Sequence, residues 1–586
     1  MPSIKKQYEQ HSSENQGSPS WMQPSTSRHA RDVSTEEIEM DELFNHRTQV
    51  QEKEYTPLEM KDILERERRE RIRAWWTDHL RDFLTFFIYL ITLYCAVFGS
   101  RDDMAYYSTS SIKNTIVYSD IFSEITSTKV FLIYMSEVLI PALHQGELYN
   151  HEKINETGIT AVYNTKLLGL VRLRQLRVKN ETCNVATELR GLRGRCRAQF
   201  SFSTEDTKNY SLSWSPFVAN SFKLSRNKSP WLYRAGWESG TVLAKGEFAW
   251  YPGGGYITTL GRTLENSLTV MKFLKRYNWF DHHTRAIFID FTTYNANRNI
   301  FNVVNLIVEI SAEGAVVTSQ NIETLKLLLN YHELGLSTVV AMVLCSLMLC
   351  VFIVRQMTRF GRTSVRSYFT AWYNIIDLII ALLGITIVGL YLLRSKYVSM
   401  LIKHLEEADG NEYVNFTWAA YWQVTLLHFI AALLCLSTFR AWKLLRFGRQ
   451  FRSFEHTLIQ ASKALVPVTF IMVIVVIGFT GIAYVIIGHT SYPFSKMYYT
   501  FSTLFFNGIG LGELDYEVFF AVDYIIGPVF IIIYWLTFII FLINVFITVI
   551  NLAYENARDK VSLIHEEYTM TDYVKEEIKY HFTHRK

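Results

Sequence analysis

The sequence predicts an α-helical polytopic membrane protein: six spans, a short extra helix between the fifth and sixth, and a large α+β domain outside the membrane between the first two. Three observations carry this. Apolar runs at 80–99, 334–354, 371–393, 419–440, 464–488 and 522–551 are long enough to cross a bilayer, since about 20 residues make about 30 Å of helix. Apolar residues are 49% of the chain and charged ones 19%, a balance too greasy for a soluble protein. Runs such as "VPVTFIMVIVVIGFTGIAYVII" are apolar on all sides, unlike the one-sided helices of a soluble core.

The elements follow in order. Residues 1–60 are rich in Ser, Gln, Glu and Pro, have no apolar signal-peptide core, and are expected to be a disordered cytosolic terminus. Residues 61–79 form a pre-span amphipathic helix, with Arg66, Arg68, Arg69, Arg71 and Arg73 ahead of the first run. Basic residues also crowd the 355–366 link, the 441–462 linker and the start of the 552–586 tail, at Arg558 and Lys560. The positive-inside bias places all of these in the cytosol, and 100–333 outside. The N-glycosylation sequons at Asn155, Asn180, Asn209, Asn227 and Asn415 all fall on that outer side, although Pro230 weakens the one at Asn227.

The outer segment reads as a folded domain. "LVRLRQLRV" and "AIFIDF" alternate as strands do, and "WYPGGGY" at 250–256 is turn-rich. Only Cys183 and Cys196 of the six cysteines lie in polar sequence. In an oxidising compartment they predict a disulfide, and so short a loop contributes on the order of 3 kcal/mol. The His282–His283 pair reads as solvated surface. A net charge of +4 argues against nucleic-acid binding. No zinc-ligand pair on a helix, no G-x-S-x-G and no complete P-loop occurs, so an enzyme is not expected.

Between the last two runs lies "FSKMYYTFSTLFFNGIGLGELDYEVFF". Its glycines at 508, 510 and 512 suggest a phosphate loop, but Glu513 and Leu514 stand where a Lys and a Ser or Thr are required. The aromatic stretch before them is too short to span. It must enter the membrane and return, which is allowed only where the non-helical backbone lines a water-filled path. That is a pore helix and filter over 494–513, with carbonyls facing an ion axis. From Met497 to Ala557 there is no Lys or Arg, while Glu513, Asp515, Glu517 and Asp523 gather at the outer mouth. One chain carries one such loop, so a central pore needs several copies.

The fourth run ends in Arg440, Lys443, Arg446, Arg449 and Arg452, every third residue. This stripe reads either as a voltage-sensing helix or as positive-inside topology. Arg440 and Lys443, nearest the apolar run, are the candidates for sensing, with Asp377 of the third run as their intramembrane partner. In the last run Asn544 and Asn551 lie seven apart, on one helix face that either lines a pore or packs between helices. The apolar Ile547 between them can close a pore by dewetting.

Four passages resemble the polycystin-2-like branch of TRP channels: "NTKLLGLVRLRQLRVKNETC" (164–183), "TRAIFIDFTTYNANRNIF" (284–301), "LGE" (511–513) and "NVFITVIN" (544–551). The resemblance runs from about Trp75 to Lys560. It implies the voltage-gated-like channel fold with an extracellular polycystin domain, and a homotetrameric, non-selective cation channel in membrane lipid. Ca²⁺, Na⁺ and K⁺ are the candidate permeant ions, and no cofactor is expected. It implies a filter at Leu511, Gly512 and Glu513, with Glu513 meeting the permeating cation, and an inner gate at Ile547 and Asn551. It also implies that Arg440 and Lys443 are a voltage-responsive pair facing Asp377, and that Cys183 pairs with Cys196. The alternative is a non-conducting, receptor-like or accessory subunit that needs a polycystin-1-like partner. Plasma, ciliary or flagellar, and endoplasmic reticulum membranes are all within the family's range.

Two departures stand out. Glu513 replaces the family's usual Asp and moves the carboxylate about one bond outward. No D-x-D-x-D-G loop or long heptad follows 560. Direct EF-hand gating is therefore not expected, and assembly is expected to rest on the pore and outer domains.

Overall fold

A six-stranded antiparallel sheet fills much of the stretch between the first two apolar helices. The computed structural model describes residues 60–562 except 118–119, 148–149, 154–155, 163, 181, 184, 193–195, 218–228, 329–333, 363, 371, 446–448, 513–515 and 523, and adds 573, 575, 578 and 579. Strands are β1 (Lys166–Arg177), β2 (Tyr233–Arg234), β3 (Ala244–Lys245), β4 (Trp250–Tyr251), β5 (Gly255–Thr259), β6 (Thr284–Asn295), β7 (Ile300–Ile310) and β8 (Val316–Leu325). The sheet order is β2-β5-β1-β6-β7-β8, and β3 and β4 form a separate small ladder.

Strand β6 pairs with β7 from Ala286 opposite Glu309 to Asn295 opposite Ile300. One face of the sheet carries Leu173, Ile287, Ile289, Val304 and Leu306. It packs on helical turns between 105 and 143 and on helix α2 (Leu264–Arg276), through Phe131, Tyr134, Leu139 and Leu274. Helix α2 forms where Thr263 caps it by accepting from the Asn266 amide, and Lys275 and Arg276 sit in its last turn, where they complement the helix dipole. The other face holds Leu176, Val178, Phe200, Tyr251, Phe288 and Ile307.

The alternation in "LVRLRQLRV" does mark a strand, but its arginines, on both faces, are not solvated. Arg172, Arg174 and Arg177 are each no more than 3% exposed. Arg172 donates from Nε and Nη2 to Asp290 Oδ2 at 3.0 and 2.7 Å, and from Nη1 to the Ser239 carbonyl at 3.0 Å. Arg174 donates to the Pro252 and Gly254 carbonyls at 2.8 and 3.0 Å, so it holds the glycine-rich turn. Arg177 donates to Asp281 at 2.6 Å and stacks 3.4 Å from the Trp214 ring. Buried charges need this number of partners. His283 is likewise only half-exposed. It meets the Val178 carbonyl at 3.0 Å through Nδ1 and accepts from Arg197 at 3.2 Å. Its expected place on a solvated surface is therefore corrected to a link between segments.

The described residues up to Ala74 belong to one unit and those from Trp75 onward to a second. The described part of the first is helical from Met60 and carries an i,i+4 ion pair of Glu67 and Arg71 at 3.0 Å. Among the described residues, six helices are long and apolar enough to cross a membrane: Leu80–Gly99, Leu336–Arg362, Asn374–Glu407, Thr417–Ala441, Leu465–Ile487 and Ile526–Asn556. They lie in α1 (Met60–Gly99), α3 (Leu336–Arg362), α4 (Trp372–Glu407), α5 (Thr417–Leu445), α6 (Arg449–Ile487) and the last helical stretch. Between 6% and 28% of each apolar window is buried, so most of that surface has to face lipid or other copies of the chain.

Helices α1, α3, α4 and α5 meet through Phe86, Leu93, Leu349, Ile380 and Leu433. The outer ends of α4 and α5 pack on the sheet through Phe301, Leu325, Leu401 and Phe416. Arg394 of α4 donates there to the Lys326 and Leu327 carbonyls at 2.9 and 2.7 Å.

Candidate functional site

Between α6 and the last helical stretch lies α7 (Met497–Gly508), twelve residues long. At 1.5 Å per residue it covers about 18 Å, too little to cross a bilayer. It is followed by α8 (Ile526–Trp535), a π-helical segment Leu536–Ile543, and α9 (Asn544–Ser562). Helices α6, α7 and α8 share a core of Val476, Ala483, Leu504, Phe530, Tyr534 and Phe538.

The three glycines after the aromatic run have three different causes. Gly510 takes a left-handed φ of +78°. The Leu511 amide then donates to the Phe506 carbonyl and the Gly510 amide to the Asn507 carbonyl, both at 2.9 Å. That pair of bonds is a Schellman C-cap, which ends α7 and turns the chain. Gly508 lies against the last helix, where an added Cβ would meet Tyr534 Oη and a Phe538 ring carbon at 2.6 Å. Tyr534 Oη also donates to the Leu504 carbonyl at 2.5 Å. Gly512 lies flat on the end of α7, where a Cβ would meet the Asn507 nitrogen at 2.9 Å. The sequence reading gave these glycines one purpose, carbonyls aimed at an ion. In the structure two of them allow close packing and one terminates a helix.

The base of α7 is held by the sheet domain. Lys496 Nζ donates to the Glu247 carbonyl at 2.6 Å and to its carboxylate at 2.7 Å, and Tyr499 Oη adds a bond at 3.2 Å. Glu247 sits in the β3–β4 turn. That turn is fixed by Glu309 of β7, a fully buried carboxylate. Glu309 accepts from the Glu247 amide at 2.6 Å, the Phe248 amide at 3.0 Å and Tyr251 Oη at 2.7 Å. Partial burial works to raise the pKa of Glu247, but the Lys496 hydrogen bond and charge win and hold it below the ordinary carboxylate value.

A second cluster lies in the helical bundle. Arg440 Nε of α5 donates to Asp377 Oδ1 of α4. Its guanidinium lies 4.0 Å from the Phe86 ring centre and 4.8 Å from that of Phe352. Arg359 Nη1 is 3.8 Å from the other Asp377 oxygen, and Arg355 pairs with Asp82. Asp82, Phe86, Tyr89, Arg355, Arg359 and Arg440 line a cavity of about 90 Å³. The expected pairing of Arg440 with Asp377 is thus present. Lys443 lies on α5, but its side chain is outside the described residues.

Leu511 is 76% exposed and Ile547 49% exposed, and Asn551 is exposed as well. Glu517 is exposed at the start of a short helix, Glu517–Val522. Glu513, Asp515, Asp523, Asn155 and Asn227 lie outside the described residues. Cys183 and Cys196 are joined in a disulfide. Asn180 and Asn209 are exposed. Asn415 is partly buried. Its Nδ2, the atom that would carry a glycan, donates to the Gly240 carbonyl at 2.7 Å, and its Oδ1 accepts from the Thr417 amide at 3.1 Å.

Sequence reasoning missed Asn507, Tyr534, Glu247, Glu309 and Lys496. Asn507, a polar residue within an apolar helix, carried the only local signal.

A family model described as the polycystin domain matches residues 121–328, which hold the sheet. One described as the polycystin cation channel matches 330–557, from the second span into α9. Polycystin-2-like protein 1 of Homo sapiens is 27% identical over 507 residues, 85% of this chain and 60% of that protein. Polycystin-2 of Danio rerio is 27% identical over 510 residues, 85% of this chain and 54% of that protein. Polycystin-2-like protein 2 of Mus musculus is 26% identical over 495 residues, 83% of this chain and 76% of that protein. The chain therefore spans little more than half the length of the first two. Two models that meet end to end, one on the sheet and one, described as the polycystin cation channel, on the helices that carry α7, leave one assignment: the chain belongs to the polycystin family.

Proposed function

We propose that this chain is the subunit of a homotetrameric, non-selective cation channel with the sheet domain outside the cell or in an organelle lumen. The carrying observation is α7. It is an apolar helix too short to span, and it ends in a Schellman turn that delivers Leu511 to an exposed position between two apolar helices. The C-terminal end of a helix carries partial negative charge, which favours a cation at that end. The stretch from Met497 to Ala557 adds acids and no Lys or Arg.

In this reading Leu511, Gly512 and Glu513 are the filter, and Asp515, Glu517 and Asp523 concentrate cations at its mouth. Ile547 and Asn551 close the inner end. A one-chain structure leaves Leu511 and Ile547 exposed, and four copies around one axis would enclose them. Arg440, held by Asp377 between two aromatic rings, is the voltage-responsive charge, with Lys443 one turn further on.

Whole-cell current from Ile547→Asn, with and without Glu513→Gln, tests the proposal. The expected result is a cation current whose Ca²⁺ permeability relative to Na⁺ changes with Glu513. A current indifferent to Glu513 would refute the filter. Glycosylated protein at the surface with no current would instead favour the accessory-subunit reading with a polycystin-1-like partner.

A further inference from the structure

We infer that Asn415, although it heads an N-F-T sequon, carries no glycan in the folded protein and instead serves as a clamp that fixes the outer end of α5 to the sheet domain. Its amide is used at both ends. Oδ1 accepts from the Thr417 amide at 3.1 Å and turns the chain into α5, a bond that Asn side chains commonly make two residues on. Nδ2 donates at 2.7 Å to the Gly240 carbonyl, 175 residues away in sequence. The same nitrogen packs on the Gly240 main chain, where an added Cβ would lie 3.5 Å from it. A glycan would replace one of the two hydrogens on that nitrogen and set a sugar ring beside Gly240. Contact and modification therefore compete for one atom. Asn209 is arranged the other way. Its Oδ1 accepts from the Tyr233 amide at 3.0 Å, its side chain is exposed, and its Nδ2 makes no bond among the described residues, as suits an acceptor on a free surface.

Asn415 ends a row of ties between the loop that joins α4 to α5 and the sheet domain. Arg262 Nη1 donates to the Asp409 carbonyl and, at 3.3 Å, to Asn411 Oδ1. The Leu170 amide of β1 donates to the Glu412 carbonyl at 3.2 Å. Strand β1 shifts register between Leu168 and Arg172 to receive that carbonyl. Gly169, in this bulge, has a left-handed φ of +69°, and any Cβ there would strike the Glu412 oxygen. The Tyr413 ring lies 4.2 Å from the Arg172 guanidinium. Arg172 donates to the Ser239 carbonyl and Asn415 to that of Gly240, so the two hold neighbouring carbonyls of one turn. A sugar on Asn415 would part surfaces that this row brings together. Helix α5 begins at Thr417 and carries Arg440 near its other end. The sheet domain thus holds one end of the helix that bears the charge paired with Asp377.

The test uses the full chain, collected from the surface of glycosylating cells by biotinylation. Peptide N-glycosidase in water enriched in heavy oxygen turns a glycan-bearing Asn into labelled Asp, which mass spectrometry reads sequon by sequon. Asn209 is expected to carry the label and Asn415 to remain Asn. Label on Asn415 overturns the inference, and this reading needs no variant. Hydrogen exchange of the full chain in detergent reads the clamp separately. Asn415→Asp keeps the shape and the acceptor and removes the donor to Gly240. Asn415→Ala removes both bonds. In either variant, peptides over 236–241 and 409–417 should exchange roughly two- to tenfold faster, the span of one lost hydrogen bond, while α2 keeps its wild-type rate. Unchanged exchange in both segments overturns the inference even where Asn415 is unmodified. Faster exchange in α2 to the same degree also overturns it, as general loosening.

Discussion

Buried arginines occur in two parts of this molecule and are held in different ways. In the sheet, Arg172 has a carboxylate gripped from two nitrogens, a backbone carbonyl and the face of Tyr413 at 4.2 Å, and its side chain is 4% exposed. In the helical bundle, Arg440 is bonded to one carboxylate and flanked by two rings, and its side chain is 15% exposed beside a cavity. The first arrangement admits one geometry. The second keeps a charge stable inside a membrane and lets it exchange partners, because aromatic faces attract a cation without fixing its direction. The sheet holds its charge in one place, and it is in the bundle that the voltage-responsive reading proposed above needs a charge to move.

Four changes would break or sharpen that contrast. Asp290→Ala leaves Arg172 buried without its carboxylate and should cost roughly 3–5 kcal/mol. Loss of glycosylated protein at the cell surface would be the readout, and wild-type amounts would mean that the sheet tolerates loose charge after all.

His144 supplies a pH test confined to the sheet domain. It is 7% exposed, meets Ser267 Oγ at 3.2 Å, and burial pulls its pKa from 6.5 down to about 4. A base depressed on folding stabilises above its unfolded value. That contribution is lost as pH falls from 6.5 toward 4, on the order of 2–3 kcal/mol. Thermal unfolding in detergent should show this slope, and His144→Gln should flatten it.

Asp377→Asn weakens the hold on Arg440. The half-activation voltage should move on the order of tens of millivolts, given ~2.3 kcal/mol per charge per 100 mV. An unmoved midpoint would make Arg440 as structural as Arg172. Lys496→Met breaks the contact with Glu247 and should change opening by under ~1 kcal/mol, as exposed pairs do. Glu247 has a depressed pKa, so its ion pair persists at neutral pH and is lost only as pH falls below 4.5. Acid at that side should reproduce the effect of Lys496→Met, and a larger effect at pH 6 would point to another group.

Much of this was legible in the sequence, for identifiable reasons. Long apolar runs announce spans because lipid admits little else. "AIFIDF" announces a strand, and two cysteines in polar sequence announce their bridge. The Arg440–Asp377 pair was legible because charge inside a membrane demands a partner. What was not legible depends on distance along the chain or on backbone detail. Lys496 and Glu247 are 249 residues apart, and nothing local joins them. That Gly510 caps a helix while Gly508 and Gly512 yield space to Tyr534 and Asn507 is invisible in a string that only alternates glycine. The burial of Arg172, Arg174 and Arg177 was missed because alternation shows that a strand has two faces, but not whether both are covered.

The turn between β3 and β4 has a further consequence. Glu309 fixes it from inside the sheet, and Lys496 and Tyr499 grasp it from the foot of α7. It therefore joins β7 to the foot of α7, and a displacement of β7 is expected to reach the helix that Gly512 follows. Thermodynamic linkage makes such a connection work in both directions. To whatever extent a molecule bound on the sheet alters cation occupancy near α7, those cations alter its binding by the same factor. The sheet domain and α7 would then each report the other's state.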